Sequence, residues 1–473
     1  PQADRTETAS GLLEASLGYR EVLRRCGVHR GDLVLAAVGN RPGFVPLVVS
    51  CWQLGAPLLP VDIATPPSDI AALTRRFGAR CAVVPAASRH AVFPTATADT
   101  ASGPVLLDGF AFTPTDAVMP SAMHDAVLLK LTSGSTGEPK AVITTESQLL
   151  ADTDHIVSAM GITAEDVQLA VIPLSHAYGF GNLIMPMLVQ GTAIALRESF
   201  VPPQLLIDAR RYGARVFQGV PFMYQHYLSA VSSDEWPPQL TLLVSAGAPL
   251  ERETVQAFHR RFGIKIHSFY GASESGGMTF DGDDIVDDLP TVGRPLPGVT
   301  VALRSDPDIP SGCGRVHVSG REVSAAYVGE PSGNGAFEGG GFLTGDYGYF
   351  APDGRLVLSG RVSSFINVAG RKVHPSEVEH VLRELAGVRD VQVLAAADAS
   401  RGEQIAAVIV TGTTRAGGAT SGSALTLSAV RAHCSKRLPA YKVPRIVVFV
   451  DALPLTGRGK VDRRALDALV AEH

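Results

Sequence analysis

The 473 residues include only five cysteines, at positions 26, 51, 81, 313 and 434, an odd number with no Cys-X-X-Cys spacing. That scarcity excludes a disulfide framework and a structural zinc site, and it implies reduced thiols and a cytoplasmic setting. An excess of one charge is also missing. A net charge of −5 leaves no electrostatic footprint for nucleic acid or an anionic membrane as partner, so any anionic substrate has to be met by local donors. The opening PQADRTETAS carries neither a basic n-region nor an apolar h-region, and no secretory signal is expected. Long uncharged runs are scarce too. The one candidate, residues 177–196, is interrupted by Gly179, Gly181, Pro186 and Gly191. It reads as a buried helix beside a pocket rather than a membrane span, with His176 just before it.

What is present is apolar mass: 45% hydrophobic against 18% charged residues, enough for more than one core in a chain too long for one. The expected class is α/β, with doubly wound sheets. A helical pattern through Leu12, Leu17, Tyr19 and Val22 precedes a strand at 33–37, and a second helix runs to Leu54, stopped by Gly55. Residues 81–84 and 105–107 read as buried parallel strands, with a surface excursion at 86–103. Strands at 167–172, 192–196, 216–218, 241–245 and 265–268 then alternate with helices at 221–231 and 249–262, the βα rhythm of a wound sheet. After about residue 290 the texture becomes Gly- and Pro-rich with short β-like runs. The expected division is a large domain over 1–362, with a β subdomain at about 290–362, and a small mobile α+β domain over 363–473. Residues 411–424 read as a flexible loop, and no repeat at a fixed period occurs.

The chemistry centres on Leu131-Thr-Ser-Gly-Ser-Thr-Gly-Glu-Pro-Lys-Ala-Val142. Thr132, Ser133, Gly134, Ser135, Thr136, Gly137 and Lys140 crowd glycines, hydroxyls and an ammonium between two apolar, β-branched flanks. Such a loop can turn backbone N–H groups toward one anion, the chemistry of a phosphate cradle. It is not a GxxxxGK[ST] P-loop, since the glycines are three apart and a strand follows. Read alone, a plain connection between strands is the commoner outcome. Five more segments carry candidate groups. Tyr270-Gly-Ala-Ser-Glu274 offers an aromatic to stack on a purine, Gly271 for close approach, Ser273, and a carboxylate for Mg²⁺; a tight turn with a solvated Glu is the plain alternative. Gly247 and Ala248 sit at a strand end, where nucleotide sites form but so do ordinary turns. Asp346 on a glycine turn and Arg361 are ribose and phosphate candidates, or a surface ion pair. Lys460 in Leu453-Pro-Leu-Thr-Gly-Arg-Gly-Lys460 is a cation on a glycine-rich loop, which taken alone is ordinary solvated surface.

Taken together and in this order, these motifs resemble the adenylate-forming superfamily of acyl- and aryl-CoA synthetases, peptide-synthetase adenylation domains and luciferases. The resemblance runs from about residue 121 to the end and is closest in texture to the CoA ligases. It implies that a carboxylate attacks the α-phosphate of ATP, that pyrophosphate leaves, and that the thiol of CoA then displaces AMP from the acyl-adenylate. It further implies Glu274 as Mg²⁺ ligand, Thr136 close to the β/γ-phosphates, Gly247 and Ala248 as a platform for adenine, Asp346 and Arg361 on the ribose, and Lys460 as the adenylation lysine. Gly370 and Lys372 match the thiol-tunnel face that replaces that lysine when the C-terminal domain rotates.

One departure concerns the hinge. Ser363 stands where the family commonly has Asp or Lys, which leaves CoA, a carrier-protein thiol or an amine open as acceptor. The aspartate that pairs an α-ammonium in amino-acid-activating relatives is replaced by His176, Ala177 and Tyr178, which argues against an α-amino acid. The expected acid pocket is uncharged: His176, Tyr178, Phe180, Phe222, Met223, Phe269, Gly276, Gly277 and Met278, with no Lys or Arg to meet a second carboxylate. Glycines beside aromatics favour a flat aryl acid or a modest acyl chain. A nucleotide-binding scaffold without turnover is the reading from another class.

Overall fold

In the strand β1 (Leu33–Ala36), alternate side chains enter different cores. Val34 and Ala36 join Cys81, Val83 and Leu128 on one side, while Leu33 and Leu35 join Leu59, Val84 and Leu129 on the other. A strand buried on both faces has to be apolar throughout, and helices cover it from both sides. Tyr19, Val22 and Leu23 of the helix Ala9–Arg25 seal the first face with Phe44–Leu54, and Ile70, Leu73 and Phe77 of Pro67–Phe77 seal the second. The computed structural model describes residues 6–93, 104–117, 125–133, 139–307, 309–330, 336–362, 366–368, 371–373, 375–398, 402–411, 425–455 and 461–472.

The first sheet also contains β2 (Leu58–Pro60), β3 (Ala79–Pro85), β4 (Val105–Leu107), β5 (Phe110–Pro114), β6 (Ala126–Ser133) and β7 (Pro139–Thr145), in the order β4-β5-β3-β1-β2-β6-β7. Its centre is parallel, whereas β5, β4 and β7 run antiparallel at the rims. Residues 105–107 are therefore a half-exposed antiparallel edge, not a buried parallel strand. Asp108-Gly109 makes the turn at positive φ (49° and 79°) that returns the chain as β5, a strand the sequence pattern passes over.

The second sheet is built from β8 (Val167–Ala170), β9 (Ala193–Leu196), β10 (Val216–Gly219), β11 (Leu242–Ser245), β12 (Ile266–Ala272), β13 (Gly276–Phe280) and β14 (Arg294–Pro295), ordered β14-β13-β12-β11-β10-β8-β9. β12 to β9 are parallel; β13 folds back antiparallel on β12. Between β8 and β9 the uncharged run becomes Ala177–Gly179, one π-helical stretch Phe180–Ile184, and Met185–Gln190. Among the described residues no helix is long and apolar enough to cross a membrane.

The short strands expected after residue 290 are Thr300–Arg304, Gly314–Ser319, Phe342–Phe350 and Leu356–Arg361, hydrogen-bonded in that order. The chain divides into two compact units, the second holding Leu303–Val316, Gly345–Tyr349 and Leu358–His473. In that unit Gly402–Thr411 pairs with Val388–Asp398, Ile366–Val368 and Ile446–Val450. The helices Pro375–Arg383 and Leu427–Ser435 bury Val378, Leu382, Val430 and Cys434 on one face, and Arg463–Ala471 buries Leu466 and Val470 on the other. This is the α+β arrangement expected there.

Asn40 ties the end of β1 to the second sheet. Its Nδ2 donates to the carbonyls of Ile172 (3.0 Å) and Arg197 (3.1 Å), and its Oδ1 accepts from the Leu174 N–H at 2.9 Å. These bonds set the path of residues 172–174, which leads directly to His176. Asn40→Ala leaves buried carbonyls and an amide without partners and is expected to cost about 3 kcal/mol. Thermal unfolding of the variant reads this as a clearly lowered first transition.

Candidate active site

The carboxyl ends of the parallel strands surround a cavity of about 170 Å³. Ala246 and Gly247 follow β11, Gly271 and Ala272 end β12 with Ser273 just beyond, and His176, Tyr178 and Phe180 come from the helical run after β8. Ligands in open α/β sheets bind at this edge, because loops there are free to diverge and strand ends offer backbone donors. Gly276 and Gly277, opening β13, close the far side.

Tyr178 is held by a chain of buried amides. Its hydroxyl donates to Gln218 Oε1 (3.0 Å), Gln218 Nε2 donates to Gln168 Oε1 (3.1 Å), and Gln168 Nε2 donates to the Asn182 carbonyl in the π-helical turn (3.0 Å). The ring thereby stacks on Phe269, with centroids 6.1 Å apart and planes 25° off parallel. Phe180 packs edge-on against Phe44 and Trp52. The Tyr178 and Phe269 rings, stacked on each other with no room between them, make one flat aromatic wall of the slot. Phe222, Met223 and Met278 do not line it: Phe222 packs on Phe200, and Met223 and Met278 are buried in the core. These three belong to the hydrophobic packing behind the slot, because burial of a large side chain does not say which cavity it faces.

The expectation of an uncharged wall is overturned. Lys130 of β6 and Asp152 of the helix Glu146–Met160 both line the cavity, 7% and 8% exposed. Asp152 Oδ1 accepts from the Gly277 N–H at 2.8 Å. Burial pushes the Asp152 carboxyl up, against the opposing pull of Lys130, and burial pushes the Lys130 ammonium down, against Asp152 and Glu274. The contact is close: a Cβ on Gly276, at φ +66°, would meet Asp152 Oδ1, so only glycine fits there. One turn along the helix, His155 Nδ1 lies 3.4 Å from Glu322 Oε2, both nearly excluded from water.

Glu274 accepts from the Tyr327 hydroxyl at 2.8 Å. Lys140 lies over the Tyr327 ring, 4.8 Å from its centroid, and pairs with Glu330 at 2.7 Å. Thr132 stands opposite Lys140 in the β6–β7 register, so the strand flanks expected around the loop are present. His176 faces Asp62 at 3.8 Å. Tyr270 is half-buried, and Ala248 is exposed off the cavity lining. In the second unit Arg361 Nε pairs with Asp346 Oδ1 at 2.7 Å, which brings those two candidates together. Gly134, Ser135, Thr136, Gly137, Ser363, Gly370 and Lys460 lie outside the described residues, as does the side chain of Ser133; Lys372 is in the strand Arg371–Val373.

Residues 2–328 match the family model described as AMP-binding enzyme, and 377–460 match the AMP-binding enzyme C-terminal domain. The chain belongs to the AMP-binding enzyme family. An oxalate–CoA ligase from Arabidopsis thaliana is 28% identical over 94% of this chain and 89% of its own length. A feruloyl-CoA synthase from Amycolatopsis is 28% identical over 93% and 89%. The solved structure of ATP-bound MatB from Rhodopseudomonas palustris superposes with a TM-score of 0.82, covering 99% of this chain and 94% of that one at 24% identity.

Within this AMP-binding enzyme, sequence motifs pass over Lys130, Asp152, His155, Glu322 and Tyr327. Two signals were available. Lys130 is the one charge in an apolar strand and shares the period-2 face of Leu128, and Asp152 lies on the buried stripe of Leu149, Thr153 and Ile156. Glu322 yields a prediction. Burial pushes its carboxyl up to about 7 from an ordinary 4.5. The folded state thus retains a proton that the unfolded chain releases, and its relative stability falls as pH rises from 4.5 through 7. Glu322→Gln is expected to melt higher than the parent at pH 8, where His155 is neutral, with the gap closing toward pH 5; melting curves across pH measure this.

Proposed function

We propose that this enzyme activates a carboxylic acid with ATP, forming an acyl-adenylate and pyrophosphate, and passes the acyl group to CoA. The observation that carries the reading is the single cavity in which the glycine-edged strand ends at Gly247 and Gly271–Ser273 adjoin the Tyr178–Phe269 slot. A nucleotide laid on the backbone edges would meet an acid lying against the flat face of that aromatic pair. The relatives named as CoA ligases support the same chemistry.

The protein has to align two anions and neutralise growing charge. The loop Thr132, Ser133, Gly134, Ser135, Thr136, Gly137 and Lys140 would hold the pyrophosphate end of ATP. Tyr270 would stack on adenine beside Gly247 and Ala248, and Asp346 and Arg361 would hold the ribose. Glu274 suits Mg²⁺, which takes one carboxylate oxygen and shares its remaining positions with phosphates and water. When bound, the ion would offset phosphate charge. Lys460 would stabilise the carboxylate and α-phosphate as they meet. The C-terminal domain would then exchange that lysine for the face of Gly370 and Lys372 about a pivot at Ser363, with 1–362 as body and 363–473 as lid.

Acid-dependent exchange of pyrophosphate into ATP tests this reading. Exchange with at least one acid, and thioester formation on adding CoA, are expected; silence across a broad acid panel would overturn it. Exchange without thioester would move the acceptor to a carrier thiol or an amine. Lys460→Ala should lower exchange by about 10²-fold or more while nucleotide binding persists. Near-normal exchange in that variant would remove Lys460 from the adenylation step.

A further inference from the structure

We propose that Lys130 selects acids carrying a second anionic oxygen, a carboxylate or phenolate besides the carboxylate that reacts. This rests on the ligase reading above and names the substrate class of the same site. Lys130 is 7% exposed, and what it exposes lines the cavity. The strand explains why. Leu129 points into the core on the far side of the sheet, while Leu128 and Lys130 share the face turned to the slot.

A buried ammonium is costly unless it is paired. Among the described residues, no ion pair or hydrogen bond reaches Lys130 Nζ. The two nearby carboxylates, Asp152 and Glu274, act on it through space. Both are engaged elsewhere, Asp152 with the Gly277 N–H and Glu274 with the Tyr327 hydroxyl. Water can serve the ammonium while the cavity is empty. An apolar acid entering the slot would displace that water and leave the charge without a partner. An acid with a second oxygen anion replaces the water with a charge-assisted bond.

The sign of the partner follows from the donor. An ammonium has three hydrogens to give and no lone pair to accept with, so an oxygen anion satisfies it, whereas an aromatic amino group, uncharged and with its lone pair delocalised into the ring, is a poor acceptor. Sites built around such a donor reject analogues that lack the acceptor far more strongly than apolar pockets reject a missing methylene. The flat Tyr178–Phe269 wall offers a face for an aryl acid with a hydroxyl or second carboxylate to lie on, and the same pairing is open to a short dicarboxylate.

Matched acids separate the possibilities. Pyrophosphate release would be measured for benzoate against its hydroxy-, carboxy- and amino-substituted isomers, and for butyrate against succinate, with the parent enzyme, Lys130→Met and Lys130→Arg. The expected result is a kcat/KM for the oxygen-substituted member at least about tenfold above its plain partner in the parent enzyme. That ratio should collapse toward one in Lys130→Met and be partly kept in Lys130→Arg. A ratio unchanged in Lys130→Met, or a parent enzyme that prefers the plain or amino acids, overturns the inference while leaving the ligase reading intact. Silence with every acid of this set overturns the inference, while the broad acid panel decides the ligase reading. An ATP-induced thermal shift reports whether each variant is folded. Should Lys130→Met fail it, Lys130→Arg decides: a ratio flattened despite the retained charge overturns the inference, and a ratio kept above one supports it.

Discussion

The back wall of the cavity depends on one buried contact, the Asp152 carboxylate against the backbone of Gly276 and Gly277. It brings the helix Glu146–Met160, which follows β7 of the first sheet, against β13 of the second. Two glycines permit the approach, and the hydrogen bond from the Gly277 N–H gives the buried carboxylate a partner. A carboxylate in that position is costly, and the cost is offset locally by the amide and at longer range by Lys130. The neighbouring His155–Glu322 pair extends the buried polar layer one helical turn further.

The front of the cavity has a different logic. Its walls are strand ends and a helical run broken by a π-turn, held by backbone bonds and the amide chain from Tyr178 to Asn182. A π-turn widens a helix locally and is common where a side chain has to be turned toward a ligand. Here Asn182, inside the turn, anchors the amide chain that orients Tyr178, at its N-terminal edge. The polarity therefore sits beneath the aromatic floor, while the floor itself presents flat apolar faces.

Charge distribution divides the labour. Lys140 is engaged with Glu330 and Tyr327, and Arg361 with Asp346, both cations partly exposed where such pairs exchange readily for an anionic ligand. Lys130 is the exception, being both buried and unpaired among the described residues. A nucleotide can be held by cations borrowed from surface pairs. Discrimination among acids calls for a charge that only the right ligand can satisfy.

Much of this was legible in the chain itself. Continuous apolar runs at 33–37 and 242–245 mark strands buried on both faces, and Gly55 marks a helix end, because backbone conformation and burial are local demands. The ordered motifs from Thr132 to Lys460 likewise announced the family, since each brings its own loop chemistry. The edge strand at 105–107 was misread because an antiparallel partner and a half-buried parallel one ask for similar residues. Phe222, Met223 and Met278 were placed on the pocket for a related reason: apolar side chains satisfy a core and a slot equally. The sequence by itself determined the elements, the family and the loops proposed to meet the nucleotide. Only the tertiary structure decided which side chains line the cavity, because Lys130 and Asp152 reach it from a strand and a helix that carry no motif, and a charge acquires meaning from what the fold places opposite it.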